Sequence, residues 1–474
     1  MGLTKEWREI VPTNAPADQT YSQSTGQSSI VFPISSEMAF LKPASVRLCG
    51  DLSLRIFNNA SPSVEQAISY ATITQRLFSD WRMGVYSALS QLTIRTLQTQ
   101  QEIESINNYD QLMSILQPSL HSQEDYVSGK SCLELATNSP LQQEKLFDGS
   151  ETTAFQIQQS FSSRVYSGLL YNGEPILLDE KAGCGGLELN FRLQVPQQVL
   201  TDLNGSVGGA AFGIGAEFVI TNPTLQYELL RPDGADAKSI MGSPARSLNY
   251  NTASSLVSVI NSGDHSAVFQ VGNSMGVKSI LAKFVPTQFL NSYGNLSNGL
   301  GEPRTCTNGN PIGTDAGYNA KANLRKVSFF VGGQLAPLDF AVVRNTGSSA
   351  ELKSQLTREG LNAVRTFTSI NHLIPDARIK GDDNLFLNQK RQVDVGANAT
   401  ASCNYVDTYK GGEFFVAGAN YAPYSQGRPM KNDTITFEIQ SDIAEFSDSP
   451  NTAYMFLFNE NKAMVGGGRV EVSV

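Results

Sequence analysis

The chain is short of histidine, of charge and of long apolar runs, and each shortage removes a class of function. Its three histidines, His121, His265 and His372, stand far apart with no HExxH spacing and no carboxylate pattern beside them. A histidine-built metal or acid–base cluster therefore has no support. The five cysteines, Cys49, Cys132, Cys184, Cys306 and Cys403, are odd in number and scattered, without a CxxC pair. Zinc and redox spacings are excluded, and small buried thiols are expected. Charged residues make up only 17% of the chain, the formal net charge is -9, and no Lys or Arg tract occurs. Phosphate neutralisation, and with it direct sequence-specific nucleic-acid binding, is not expected. No 18-residue apolar run spans a membrane as a helix. The N-terminal "MGLTKEWREI" places charges and Trp7 where a signal peptide carries its apolar region, so synthesis in the cytosol without secretion is expected.

What is present points to packing. Hydrophobic residues reach 40%, with 24 Phe and 16 Tyr in 474 residues, which is enough for more than one core. So little surface charge suits a molecule mostly covered by neighbours. Residues 1–27 are polar and rich in Gln, Ser, Thr and Pro, and read as a flexible arm. From Ser28 onward short apolar runs are bounded by Gly, Pro, Asn and Asp: "SSIVFPIS", "SVRLCGDLSLRIF", "SQLTIRTL", "TAFQIQQSF", "EPILLD", "GLELNFRLQV" and "EFVITNPTLQYELL". About eight strands at this spacing make one jelly roll over 28–235. The same texture returns in "SLVSVI", "SAVFQV", "SILAKFVP", "KVSFFVGG", "DTITFEIQ", "TAYMFLFN" and "GRVEVSV", which predicts a second jelly roll over 236–474. The expected class is all-β, two consecutive eight-stranded sandwiches with short helical insertions.

One insertion stands out. In "LQTQQEIESINNYDQLMSIL" the residues Ile103, Ile106, Tyr109, Leu112, Met113 and Leu116 recur every three or four positions, predicting a helix with one apolar face and an amide-rich back. A second helix is read in "SSAELKSQLTREGLNAVRTF".

Reactive motifs are sparse. "GNSMG" fits G-x-S-x-G and makes Ser274 a nucleophile candidate, with His372 as base and Asp315, Asp339 or Glu359 as acid. The following "VKSILAKFVP" reads as a strand, whereas a nucleophile elbow needs a helix there, so a turn is the expected reading. "GSVGGAAFGIGAEF" lacks a complete G-x-G-x-x-G and precedes a strand. Asp382 and Asp383 are adjacent, and on a strand would point to opposite faces. No catalytic, cofactor or metal residues are assigned. Five sequons, at Asn59, Asn204, Asn295, Asn398 and Asn432, leave a carbohydrate-binding or adhesive sandwich as an alternative beside the Ser274 hydrolase.

Three stretches resemble a known family: "STGQSSIVFPIS" entering the first strand, "QLTIRTLQTQQEIESINNYDQLMSILQPS" running from strand to helix, and "FVITNPTLQYELL" closing the first set. They are similar to the double jelly-roll major capsid proteins of polinton-like viruses and virophages, with adenovirus hexon a remoter relative. The resemblance is specific over residues 24–232 and rests on strand texture beyond. It implies a virion structural protein: a homotrimeric, pseudo-hexameric capsomer of an icosahedral DNA virus shell, without a cofactor. Its partners would be copies of itself, neighbouring capsomers, and penton and minor capsid proteins, whereas an inner membrane is left open. In that setting Ile103, Ile106, Leu112, Met113 and Leu116 would pack the helix on the sandwich wall. Trp7 would anchor the arm at the base of the tower.

Overall fold

The computed structural model describes residues 3–16, 18–23, 25–58, 61–65, 77–79, 84–120, 157–171, 174–202, 214–241, 246–261, 266–270, 273–274, 277–286, 294–295, 324–331, 334–335, 392–393, 405–406, 417–420, 430–431, 434–441 and 451–473. The helix read in 348–367 lies outside them.

Among the described residues the longest strands of the first sandwich are β1 (Leu3–Ile10), β2 (Ser29–Ile34), β3 (Arg47–Asn58), β4 (Leu89–Thr96), β5 (Glu102–Asn107), β6 (Ile157–Arg164), β7 (Leu187–Leu193) and β8 (Ile214–Pro232). One layer runs β2–β7–β4–β5. In the other, β6–β3–β8 continues through the short strands Phe40–Leu41 and Ile176–Leu177, and β1 joins the far edge of β8. Neighbours that are not consecutive in sequence are the mark of the jelly roll. Period-two alternation sets the faces: "SIVFPI" buries Ile30, Phe32 and Ile34, and "LELNFRL" buries Leu187, Leu189, Phe191 and Leu193. Leu189 opposes Phe32 on one side and Ile94 on the other, and the Phe32 and Phe191 rings meet edge to face at 6.1 Å. Each such side chain contributes about 1.5–3 kcal/mol by leaving water. Pro33 is tolerated because β2 is an edge strand, where its missing N–H costs no ladder bond.

After β8 a short helix, Gly234–Met241, leads to the second half. Asp233 caps it, its Oδ1 accepting from Ala235 N and Asp236 N at 3.1 and 2.9 Å. The second half holds β9 (Arg246–Ile260), β10 (Ser266–Gln270), β11 (Val277–Pro286), β12 (Leu324–Val331), β13 (Thr434–Ser441), β14 (Asn451–Gly466) and β15 (Arg469–Ser473). Its layers are β9–β14–β11 with Ala417–Asn420, joined by β15 on β14, and β10–β13–β12 with Gln334–Leu335. The chain is thus two consecutive jelly rolls with short helices between strands.

Two sequence expectations need correction. The polar segment read as a flexible arm is part of the first sheet. β1 pairs with β8 from Leu3↔Pro232 to Ile10↔Leu225, and Thr20–Tyr21 pairs with Thr221 and Ile220. Asn14 ties the link between them to β2, donating to Ser29 O at 2.8 Å and accepting from Val31 N at 3.0 Å. The strand was hidden because it is mostly exposed, so its own pattern carries little alternation and its partner lies at the other end of the sandwich.

The helix read from Ile103 to Leu116 is likewise a strand followed by a shorter helix. Ile103 and Ile106 lie on β5, and the helix, α1, spans Tyr109–Leu120. Glu104 opposes Ile94 while Glu102 opposes Arg95, leaving Ile103 as the extra residue of a bulge. A bulge shifts the alternation by one, so residues three apart both turn inward and imitate a helix. Asn108, at φ 52°, then turns the strand into α1.

Candidate functional site

The backbone at Ser274 is not that of a nucleophile elbow. Asn273–Ser274 pairs antiparallel with Met430–Lys431, and β11 follows where a nucleophile elbow requires a helix. His372, Asp315, Asp339 and Glu359 lie outside the described residues, as do His121, His265, Asp382 and Asp383. Among the described residues no group of three or more His, Cys, Asp or Glu could hold a metal ion. Cys49 and Cys184 are free, buried thiols. Burial pushes Cys184 up to about 12 and raises Cys49 as well, so neither is a nucleophile at neutral pH.

The organised chemistry lies instead where the two sandwiches meet. Glu104 on β5 is fully buried and accepts from Gly168 N at 2.9 Å, from Leu169 N at 3.0 Å and from Thr252 Oγ1 at 2.8 Å. The first two donors open a one-turn helix, Gly168–Tyr171, in the first sandwich, whereas Thr252 belongs to β9 of the second. Burial raises the Glu104 carboxyl above its ordinary value, and the four donors that bond it, Ser167 included, oppose the shift. Burial, with the Glu104 charge beside them, pushes the Tyr109 and Tyr250 phenols up too. Tyr250 OH donates to Ile103 O at 2.8 Å, and Asn108 Nδ2 to Ser255 Oγ at 2.9 Å. At Gly168 a Cβ would meet Asn251 O at 1.5 Å, so only glycine lets the turn lie against β9.

Apolar packing crosses the same boundary. A single buried cluster contains Ile106, Leu112, Met113 and Leu116 together with Leu248, Tyr250, Leu281, Tyr454, Phe456, Phe458 and Val465. α1 is buried on its polar side as well: Asp110, Gln111 and Ser114 are as inaccessible as the stripe. The amide-rich back is therefore covered by protein rather than by water. Gln194 Nε2 and Gln111 Nε2 donate to Asp110 Oδ2 at 3.1 and 2.8 Å, and Ser114 Oγ to Gln111 O at 2.6 Å. The shared buried cluster places the helix against the second sandwich, and the Asp110 charge adds to the burial that raises the Tyr454 phenol on β14. The turn joining β14 to β15 docks on the first, Gly467 N and Gly468 N donating to Lys181 O and Gly183 O at 2.9 and 3.1 Å. Thr201 and Asp202 also pair, in parallel, with Gly294 and Asn295.

The second surface is the N-terminal edge. Trp7 stands on the outward face of β1 opposite Glu228, not at the end of a loose arm. Glu228 is held by Lys42 Nζ at 2.6 Å. On the inward face Arg231 Nε and Arg8 Nε donate to Glu6 at 2.5 and 2.8 Å, and Arg231 also pairs with Glu37. Arg231 first, then Arg8, hold the Glu6 carboxyl below the usual range. Glu104 and this network were missed from sequence. The available signal for Glu104 was a carboxylate between two inward isoleucines.

No family model matches the chain, and no curated protein matches it. Solved structures do. A chain in the cryo-EM structure of the Sputnik virophage superposes with TM-score 0.54 at 9% identity, over 99% of this chain and 88% of that one. The mavirus major capsid protein gives 0.49 at 11% identity, covering 99% and 90%, and the PBCV-1 virus capsid 0.49 at 11%, covering 100% and 98%. At 9% identity the virophage likeness shows a shared fold, which spans both sandwiches.

Proposed function

We propose that this chain, which has the fold of the virophage chain over nearly its whole length, is the major capsid subunit of an icosahedral DNA virus. The observation that carries the reading is the fusion of two jelly rolls into one unit by a common core and the Glu104 junction. Two like sandwiches held rigidly side by side present two like edges, so three chains give six and close a pseudo-hexamer around a three-fold axis. Such capsomers tile a shell. The mechanism is association through broad, obligate interfaces of more than ~2,000 Å². The partners are two further copies in the trimer, then neighbouring capsomers, and penton and minor capsid proteins at special positions. The low charge of the chain fits a molecule whose flanks are covered. Trp7 on its exposed edge offers an aromatic anchor to such contacts. Light scattering of the purified protein is expected to give three times 51.3 kDa, and electron microscopy hexagonal towers. A monomer at every concentration would overturn the reading.

A further inference from the structure

The outer edge of β1 is self-complementary in charge about Trp7. Residues 3–11 are Leu, Thr, Lys, Glu, Trp, Arg, Glu, Ile, Val. Taken in pairs about Trp7 they set Lys5 against Glu9, Glu6 against Arg8, Leu3 against Val11 and Thr4 against Ile10. An antiparallel pair of identical strands related by a two-fold axis brings together those residues. One edge of β1 is occupied by β8, and among the described strands none pairs with the other. The outward face exposes Leu3 at 43%, Trp7 at 60% and Val11 at 59%, with the Lys5 side chain 71% exposed between them. Glu9 makes no salt bridge among the described residues. Sheet edges are ordinarily blunted by charge, and an exposed apolar one invites pairing. Lys5 reaches Glu228 of its own chain only at 3.9 Å with its side chain largely in water, so a foreign strand meets an exposed Lys and Glu, whereas a second copy meets each with its opposite.

We propose that β1 is a self-recognition strand: it pairs antiparallel with β1 of a second copy, centred on Trp7, and joins two first-sandwich sheets across a two-fold axis. Lys5 of each copy then faces Glu9 of the other, Leu3 lies by Val11, and the two Trp7 rings meet at the centre. On the other face Glu6 and Arg8 extend the network already formed with Arg231 and Glu37. A two-fold contact cannot build a trimer, so in the capsid reading it links neighbouring capsomers. That placement rests on the capsid reading, and the pairing itself does not.

Cysteine cross-linking of the full chain tests the register. An equimolar mixture of Lys5→Cys and Glu9→Cys proteins, mildly oxidised, is expected to form disulfide-linked dimers, because directly opposed Cα atoms lie within disulfide reach. Either variant alone is expected to link no more than wild type, since like positions are then about 13 Å apart along the strand. Independently, Lys5→Glu and Glu9→Lys should each weaken the association by roughly tenfold, and both changes in one chain should restore it to within about twofold. Cross-linking by one variant alone as efficient as by the mixture, or no rescue by the double exchange, overturns the proposal. Light scattering reads the trimer separately: trimers without the cross-link sink the strand pairing alone, and the cross-link without trimers sinks the capsomer and leaves the pairing.

Discussion

Glu104 occupies an inward position opposite Ile94, where strand alternation asks for a hydrophobe. Its two oxygens bind donors from both sandwiches, so removing it strands buried N–H and O–H groups on each side. Glu104→Ala is expected to lower unfolding stability by about 3 kcal/mol or more, measured by denaturant titration. Glu104→Gln should cost less, about 1–3 kcal/mol, because an amide N–H would face one of the backbone donors. The pH dependence has a definite sign. Burial raises the folded carboxyl above its unfolded value, so the stability it contributes is full below the ordinary carboxylate range and is lost as pH rises through the folded value. Melting scans from about pH 5 to 8 should therefore show the advantage of wild type over Glu104→Gln shrinking towards high pH. Ser274→Ala, by contrast, should change stability by less than about 0.5 kcal/mol, and wild-type Ser274 should resist a fluorophosphonate probe. At this scale the apolar identity of Ile103, Ile106, Leu112, Met113 and Leu116 was legible in sequence. What Glu104 does was not, because a helical reading placed it on the polar face, away from the apolar stripe.

α1 is buried on every face from Tyr109 to Ser114 and shares its core with the second sandwich. Leu112→Asp puts an unpaired carboxylate into that core and is expected to cost several kcal/mol or abolish soluble protein. Full recovery of folded protein would show the helix to be packed otherwise. β1 makes the opposite case, an exposed element that completes a sheet. Deleting residues 2–10 uncovers the edge of β8, where Leu225, Tyr227 and Leu229 lie buried, so a lower melting temperature and a tendency to aggregate are expected. The two misreadings share a cause. Local periodicity reports which residues are buried along one segment, and a bulge in β5 or a partner far along the chain from β1 changes that pattern without leaving a local mark. Strands such as β2 and β7, whose alternation is set by their own burial, were read correctly.

Over the whole molecule the two sandwiches are one packing unit, because the buried cluster passes through α1 and β14 without a break. They should unfold together. Both tryptophans, Trp7 and Trp81, precede residue 235, so their fluorescence follows the first half, whereas far-ultraviolet circular dichroism follows both. Coincident curves are expected, and separated ones would show two independent domains. Strand spacing in the sequence was enough to predict two jelly rolls, since each strand advertises its own faces. It could not show that they share a core, because Tyr454 and Phe456 look like ordinary strand residues until β9 and β14 are seen against the first sandwich.

The ladder between β9 and β14 has a consequence in time. All fifteen residues of β9 pair with Asn451–Val465, far along the chain from β9 itself. A ribosome will therefore have delivered the first jelly roll and β9 long before the strand that seals them emerges. Through that interval Leu248 and Tyr250 have no β14 beside them, and the nascent chain displays the face that the finished molecule hides. Closure of β9 must wait on β14, which favours chaperone capture during synthesis and makes a stop before β14 damaging to strands already made.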